Sequence, residues 1–130
     1  MNKTRATLVG ESIRVADTEL TRIVGLLGER ELLPGDGLLI VPSQGVHTVG
    51  MRFAIDVVFL DNAWKVIAIR RDLRPFRVTR LFWKAAAVLE LRSGAVDSSR
   101  TLVGEELNQV PHGGKRNHGR WQTGNVRRHN

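Results

Sequence analysis

The stretch HTVGMRFAIDVVFLD, residues 47–61, decides the fold. Met51, Phe53, Ile55, Val57 and Phe59 recur at every second position, with Arg52, Ala54, Asp56, Val58 and Leu60 between them. Period two with β-branched and aromatic enrichment predicts a strand rather than a helix. DNAW, 61–64, supplies a turn, and KVIAI, 65–69, returns as the paired strand. A central hairpin is therefore expected. The unusual feature is a pair of charges, Arg52 and Asp56, inside so apolar a run.

Working outward, residues 1–16 alternate loosely through Ala6, Leu8, Ile13 and Val15 and read as a short hairpin or an edge strand. DTELTRIVGLLGERELL, 17–33, has cap candidates Asp17 and Thr18, and Leu20, Ile23, Val24 and Leu27 at helical spacing, so it predicts a short helix. PGDG, 34–37, is a turn signal, and LLIV, 38–41, reads as a buried strand. On the far side, RRDLRPFRVTRLFWK is barred from continuous helix by Pro75. VLEL, 88–91, predicts a strand ended by Gly94, and a last strand is expected from about Thr101.

The chain has 130 residues, 42% of them hydrophobic, which suits one domain with a real core. The net charge is +7, but residues 1–106 carry only +2 of it and the remaining +5 follows Glu106. After Pro111 the chain has few large apolar residues and cannot bury enough surface to offset ordering. The expected organisation is a single β-rich domain over 1–110, a small barrel or sandwich with one or two short helices, followed by a basic, disordered tail over 111–130. Cysteine is absent, which excludes disulfides and cysteine-ligated zinc. No run approaches the roughly 20 apolar residues of a spanning helix, and the N-terminus is too charged for a secretory signal. A cytoplasmic location and no membrane association are expected.

The order GLLGERELLPGDGLLI, HTVGMRFAIDVVFLD, KVIAI, a Pro75-containing basic connection, VLELRSG and VGEEL resembles the domain of unknown function 192 family of small bacterial and archaeal proteins. The resemblance runs from about Arg22 to Leu107, and Met51, Arg52, Ile55, Asp56, Phe59, Asp61, Glu90, Gly94 and Gly104 fit its motif. It implies a compact β-rich fold and brings no reaction with it. The chain departs from the motif near Met51, where many relatives carry a tryptophan and an asparagine–threonine pair.

Candidate chemistry starts with Arg52 and Asp56, which on one strand share a face with Cα atoms about 13 Å apart. Each needs a partner if buried. They read either as charges that hold the fold or as an anion-binding arginine with an acidic neighbour. His47, at the strand entry, is a candidate base or ligand. No second histidine lies in the folded body, so no metal is assigned, and Asp56, Asp61 and Glu90 have no recognised magnesium spacing. Arg71, Arg74, Arg77 and Arg80 recur every third residue beside Phe76, Phe82 and Trp83, a basic patch whose aromatics are expected to tuck into the core.

The resulting expectation is a non-catalytic accessory or ligand-binding module with an anion-accepting pocket and no cofactor. His47, Met51, Arg52, Asp56 and Glu90 are its candidate lining, with a small anionic ligand or a protein as partner. The alternatives are a small hydrolase using Asp56 or His47 as base, and a nucleic-acid or acidic-partner binder working through the basic connection and tail. Either a monomer or a homodimer paired through an N-terminal β-edge is compatible with the sequence.

Overall fold

The computed structural model describes residues 7–16, 32–33, 35–48, 50–110 and 118–124. Its strands are β1 (Thr7–Ala16), β2 (Asp36–Ile40), β3 (Ile55–Leu60), β4 (Val66–Leu73), β5 (Ala87–Arg92), β6 (Glu106–Val110) and β7 (His118–Gly124), with one short helix, α1 (Ala95–Ser99), among the described residues. They form a single sheet in the order β4-β3-β5-β2-β1-β7-β6. Only β1 and β2 run parallel; the other pairings are antiparallel. The 17–35 connection has the length that a parallel crossover requires. The expected helix over 17–33 falls largely outside the described residues.

The two outer strands meet. Lys65 bridges Glu106, Val66 N–H donates to the Glu105 carbonyl at 2.8 Å, and Leu107 N–H donates to the Trp64 carbonyl at 2.8 Å. The first residues of β4 and β6 thereby come together, while residues 67–73 of β4 pair with β3 alone among the described residues. Ile13, Leu39, Val58, Leu60, Val66, Leu89, Leu91, Val96 and Leu107 fill the inside. A second layer, with Leu38, Ile40, Ile55, Val57, Phe59 and Val88, packs on the outer face beneath Val46, Met51 and Ala85 from the long loops. β3 is apolar on both faces because both are covered, and all six of its residues are buried.

The β-rich class and the central hairpin hold: Val57, Val58 and Phe59 face Arg70, Ile69 and Ala68 across β3 and β4. Several local expectations are corrected. β1 is one interior strand between β2 and β7, not a hairpin or an edge, so the N-terminal edge considered for homodimer pairing is already occupied. β3 begins at Ile55 rather than near His47. The strand expected from Thr101 begins at Glu106, with residues 100–105 forming the connection from α1. Residues 118–124 are a strand paired with both β1 and β6, so that part of the expected disordered tail belongs to the sheet. The compositional argument weighed apolar side chains, whereas a strand inserted between two others gains main-chain hydrogen bonds on both sides.

Candidate functional site

Asp56 is 1% exposed and sits one residue into β3. Its Oδ1 accepts from the Asp72 N–H at 2.9 Å, and its Oδ2 accepts from Gly94 at 3.0 Å and Val96 at 2.9 Å. One carboxylate thus ties the end of β4 and the β5–α1 turn to β3. Gly94 reaches this geometry with φ 96°, a conformation that glycine adopts without the penalty of a Cβ. Arg52 lies in the loop before β3 and is exposed, so the two charges share no strand face. Met51 is buried in the outer-face cluster, and His47 is exposed and bridges Val78. Of these candidates, Met51 and Asp56 are buried and His47 and Arg52 are exposed.

Glu90, also from the candidate set, is 3% exposed on β5 and lies across from Val57 on one side and Leu38 on the other. Its Oε1 has no hydrogen-bond partner among the described residues. Burial among apolar neighbours raises its pKa from 4.5 to about 7, because the charged form loses its hydration.

The solvent-facing chemistry gathers elsewhere, on the segment 74–84. Pro75 ends the extended run of β4, and the chain then crosses the 43–48 loop as a strap. Thr48 fastens it: the buried hydroxyl donates to the Arg74 carbonyl at 2.6 Å and accepts from the Arg77 N–H at 2.8 Å. Its main chain also exchanges bonds with Arg77 and Phe76. Farther along, Thr79 Oγ1 accepts from Val46 N–H, and Thr79 N–H donates to the Val46 carbonyl. Gly45 allows this close crossing, since a Cβ there would lie 3.0 Å from Leu81 Cδ2 and 3.3 Å from the Arg80 carbonyl.

What the strap displays is unusual for a free surface. Phe76 is 69% exposed and Trp83 is 82% exposed, with Val78 and Leu81 also in solvent. Phe76 has φ 64°, a strained value for a bulky residue, and the Thr48 bonds hold it there. Arg74, Arg77, Arg80 and Lys84 are exposed, and the sequence has no acid between Asp72 and Glu90. Phe82 does turn inward, stacking on Phe59 at 4.3 Å between centroids. Two guanidiniums, Arg70 at 5.2 Å and Arg80 at 5.0 Å, contact that one ring.

Within the expected basic patch the four arginines are not equivalent. Arg71 pairs with Asp97 at 3.0 Å and Arg74 lies 3.7 Å from Asp72. Arg77 and Arg80 form no ion pair among the described residues. The expectation that the aromatics tuck into the core holds for Phe82 and fails for Phe76, which the Thr48 anchor holds outward, and for Trp83, which lies in a turn closed by the Ala85 N–H on the Phe82 carbonyl.

Beside Trp83 lies an open depression of about 530 Å³, lined by Gln44, Asp61, Asn62, Trp83 and Lys84 with three alanines. Its shape is fixed from both sides. Gln44 Nε2 donates to the Trp83 carbonyl at 3.0 Å, and Asp61 Oδ1 accepts from Ala63 and Lys65 N–H groups at 2.9 Å each. The sequence reading missed this cleft because it joins the β3–β4 turn to a loop more than 20 residues away. Among the described residues no group of three or more His, Asp or Glu side chains is placed to hold a metal ion. No helix among them is long and apolar enough to cross a membrane.

Among the described residues, a mixed seven-stranded sheet with one short helix and a fastened surface strap defines a compact β-domain. The sequence profile of the domain of unknown function 192 family (DUF192, described as Uncharacterized ACR) matches residues 2–109, and the chain belongs to that family. A UPF0127 protein of Thermococcus sibiricus is 28% identical over 116 residues, covering 83% of this chain and 72% of the relative. Two crystal structures share the fold. A protein of unknown function from Novosphingobium aromaticivorans superposes with a TM-score of 0.67 at 19% identity, over 76% of this chain and 79% of its own. A candidate transcription regulator from Sinorhizobium meliloti superposes with a TM-score of 0.65 at 20% identity, over 79% and 90% respectively.

Proposed function

We propose that this protein is a non-catalytic binding module that docks an anionic partner on the 74–84 strap. The observation that carries the reading is the strap itself: exposed cations without an intervening acid, interspersed with solvent-exposed Phe76 and Trp83, on a backbone pinned by Thr48 at one end and Gln44 at the other. Loose surface loops rarely combine apolar display with fixed geometry, and contiguous exposed apolar side chains among charges mark interaction surfaces. The anion-accepting role expected for Arg52 moves in this reading to Arg77 and Arg80. Asp56 serves as scaffold, since its two oxygens already accept three main-chain N–H groups and substrate has no route to a carboxylate so buried.

The test uses two fluorescent anionic probes, an acidic peptide and a single-stranded oligonucleotide, against the unaltered chain and an Arg77→Glu/Arg80→Glu double variant. Binding of at least one probe that is lost in the double variant supports the reading. Binding of neither probe, or binding indifferent to the reversal, contradicts it.

A further inference from the structure

We infer that the anionic partner is single-stranded nucleic acid, with one base stacked on Trp83 at the mouth of the adjoining cleft; this rests on the docking role of the strap. The strap's charge alone would suit an acidic peptide equally well. The aromatics and the cleft separate the two.

A peptide carboxylate is satisfied by an arginine fork and has no use for a large exposed indole. A nucleobase has such a use, because every base presents a π-face, and single-strand readers pair aromatic platforms with cations that track the backbone. Trp83 is the most exposed of the large apolar side chains on the strap. It forms one wall of the roughly 530 Å³ depression and is followed at once by Lys84. The remaining polar wall offers amide and carboxylate groups from Gln44, Asn62 and Asp61, donors and acceptors of the kind that meet a base edge.

Arg80 supplies the phosphate contact next to this platform. Its guanidinium is held over Phe82, where Arg70 also sits, so two like charges are gathered on one ring. Neither forms a salt bridge among the described residues, so each guanidinium is available to a phosphate. Phe76, at the other end of the strap, offers a second stacking surface, with Arg77 beside it in sequence. A single strand laid from Trp83 to Phe76 would meet an aromatic at each end and the cations Arg80 and Arg77 between them. A duplex, whose bases are already stacked, would gain only the phosphate contacts.

The experiment measures anisotropy of a labelled 12-nucleotide single strand, the corresponding duplex and an acidic peptide of matched charge, with full-length protein and Trp83→Ala, Arg80→Ala and Lys84→Ala variants. Because Trp83 is exposed, its removal should leave the core intact, and thermal midpoints taken in parallel check this. The single strand is expected to bind best. Trp83→Ala should weaken it at least about fivefold while leaving the peptide unchanged. Arg80→Ala should lower the slope of log affinity against log salt by roughly 0.7, as loss of one phosphate contact does. If duplex and single strand bind equally and Trp83→Ala changes neither, the nucleic-acid inference falls. If the peptide alone binds, through Arg77 and Arg80, the inference falls while the docking role stands. If no probe binds, both fall.

Discussion

Asp56 sits among the apolar side chains of β3 because three main-chain N–H groups, from Asp72, Gly94 and Val96, converge there and need an acceptor. Hydrogen bonds to a charged group are each worth about 1.5–3 kcal/mol, and removing their acceptor strands buried donors. Asp56→Ala is therefore expected to lower stability by at least about 3 kcal/mol in urea unfolding. Arg52→Ala, on an exposed loop, should stay within about 0.5 kcal/mol. Equal losses in the two variants would show that the charges act together after all.

Glu90 presents the opposite case, a buried carboxyl with one oxygen unsatisfied. Its folded pKa is raised to about 7, so between pH 4.5 and 7 the native state binds more protons than the unfolded chain. Stability then falls as pH rises through that window and levels off above it. Glu90→Gln keeps the volume and cannot ionise. It should match the unaltered protein near the acid end of the window and exceed it by up to about 3 kcal/mol at pH 8. A parallel pH profile for the two proteins would contradict this account.

Among the elements, the strap depends on Thr48 as β3 depends on Asp56. Thr48→Val preserves shape but abandons the Arg74 carbonyl and the Arg77 N–H, a loss of roughly 1–3 kcal/mol. The specific readout is amide exchange, which should quicken at Phe76 and Arg77 before it changes in β3 or β5. Unchanged exchange along the strap would mean that other contacts hold it.

Elements bound by local pattern were the legible ones. The period-two run over 55–60, the turn at 61–64 and the VLEL strand all appear where alternation and turn residues put them. The misreadings have a common physical cause, in that long-range pairing overrides local signal. Met51 and Arg52 continue the alternation of β3 on paper, yet the chain there leaves the sheet, and His47 bridges Val78 instead. Gly37 looked like part of a turn, but it lies in β2 where a Cβ would meet Ile13 Cδ1 at 2.7 Å and the Glu90 carbonyl at 2.9 Å. No neighbouring residue in sequence announces such an approach. For the candidate site, the basic–aromatic spacing of 71–83 was visible. That Phe76 faces outward depends on the Thr48 anchor, 26 residues from its Arg74 partner.

At the scale of the whole molecule, strand pairing explains why function gathers on loops. Every interior strand of the described sheet is paired on both sides, and β4 and β6 touch at Lys65 and Glu106. Its inside is filled by side chains rather than open to a ligand. The outer layer of loops is where cations and aromatics remain available, and the 74–84 strap concentrates both. The central claim is that this strap docks an anion. It is tested most directly by anisotropy titrations of the acidic peptide and the single-stranded oligonucleotide across a salt series, with the unaltered protein and the Arg77→Glu/Arg80→Glu variant, thermal midpoints being taken in parallel. The account predicts salt-sensitive binding of at least one probe by the unaltered protein, and its loss at unchanged thermal midpoint in the variant. Binding that survives the double reversal, or no binding to either probe at low salt, would contradict it.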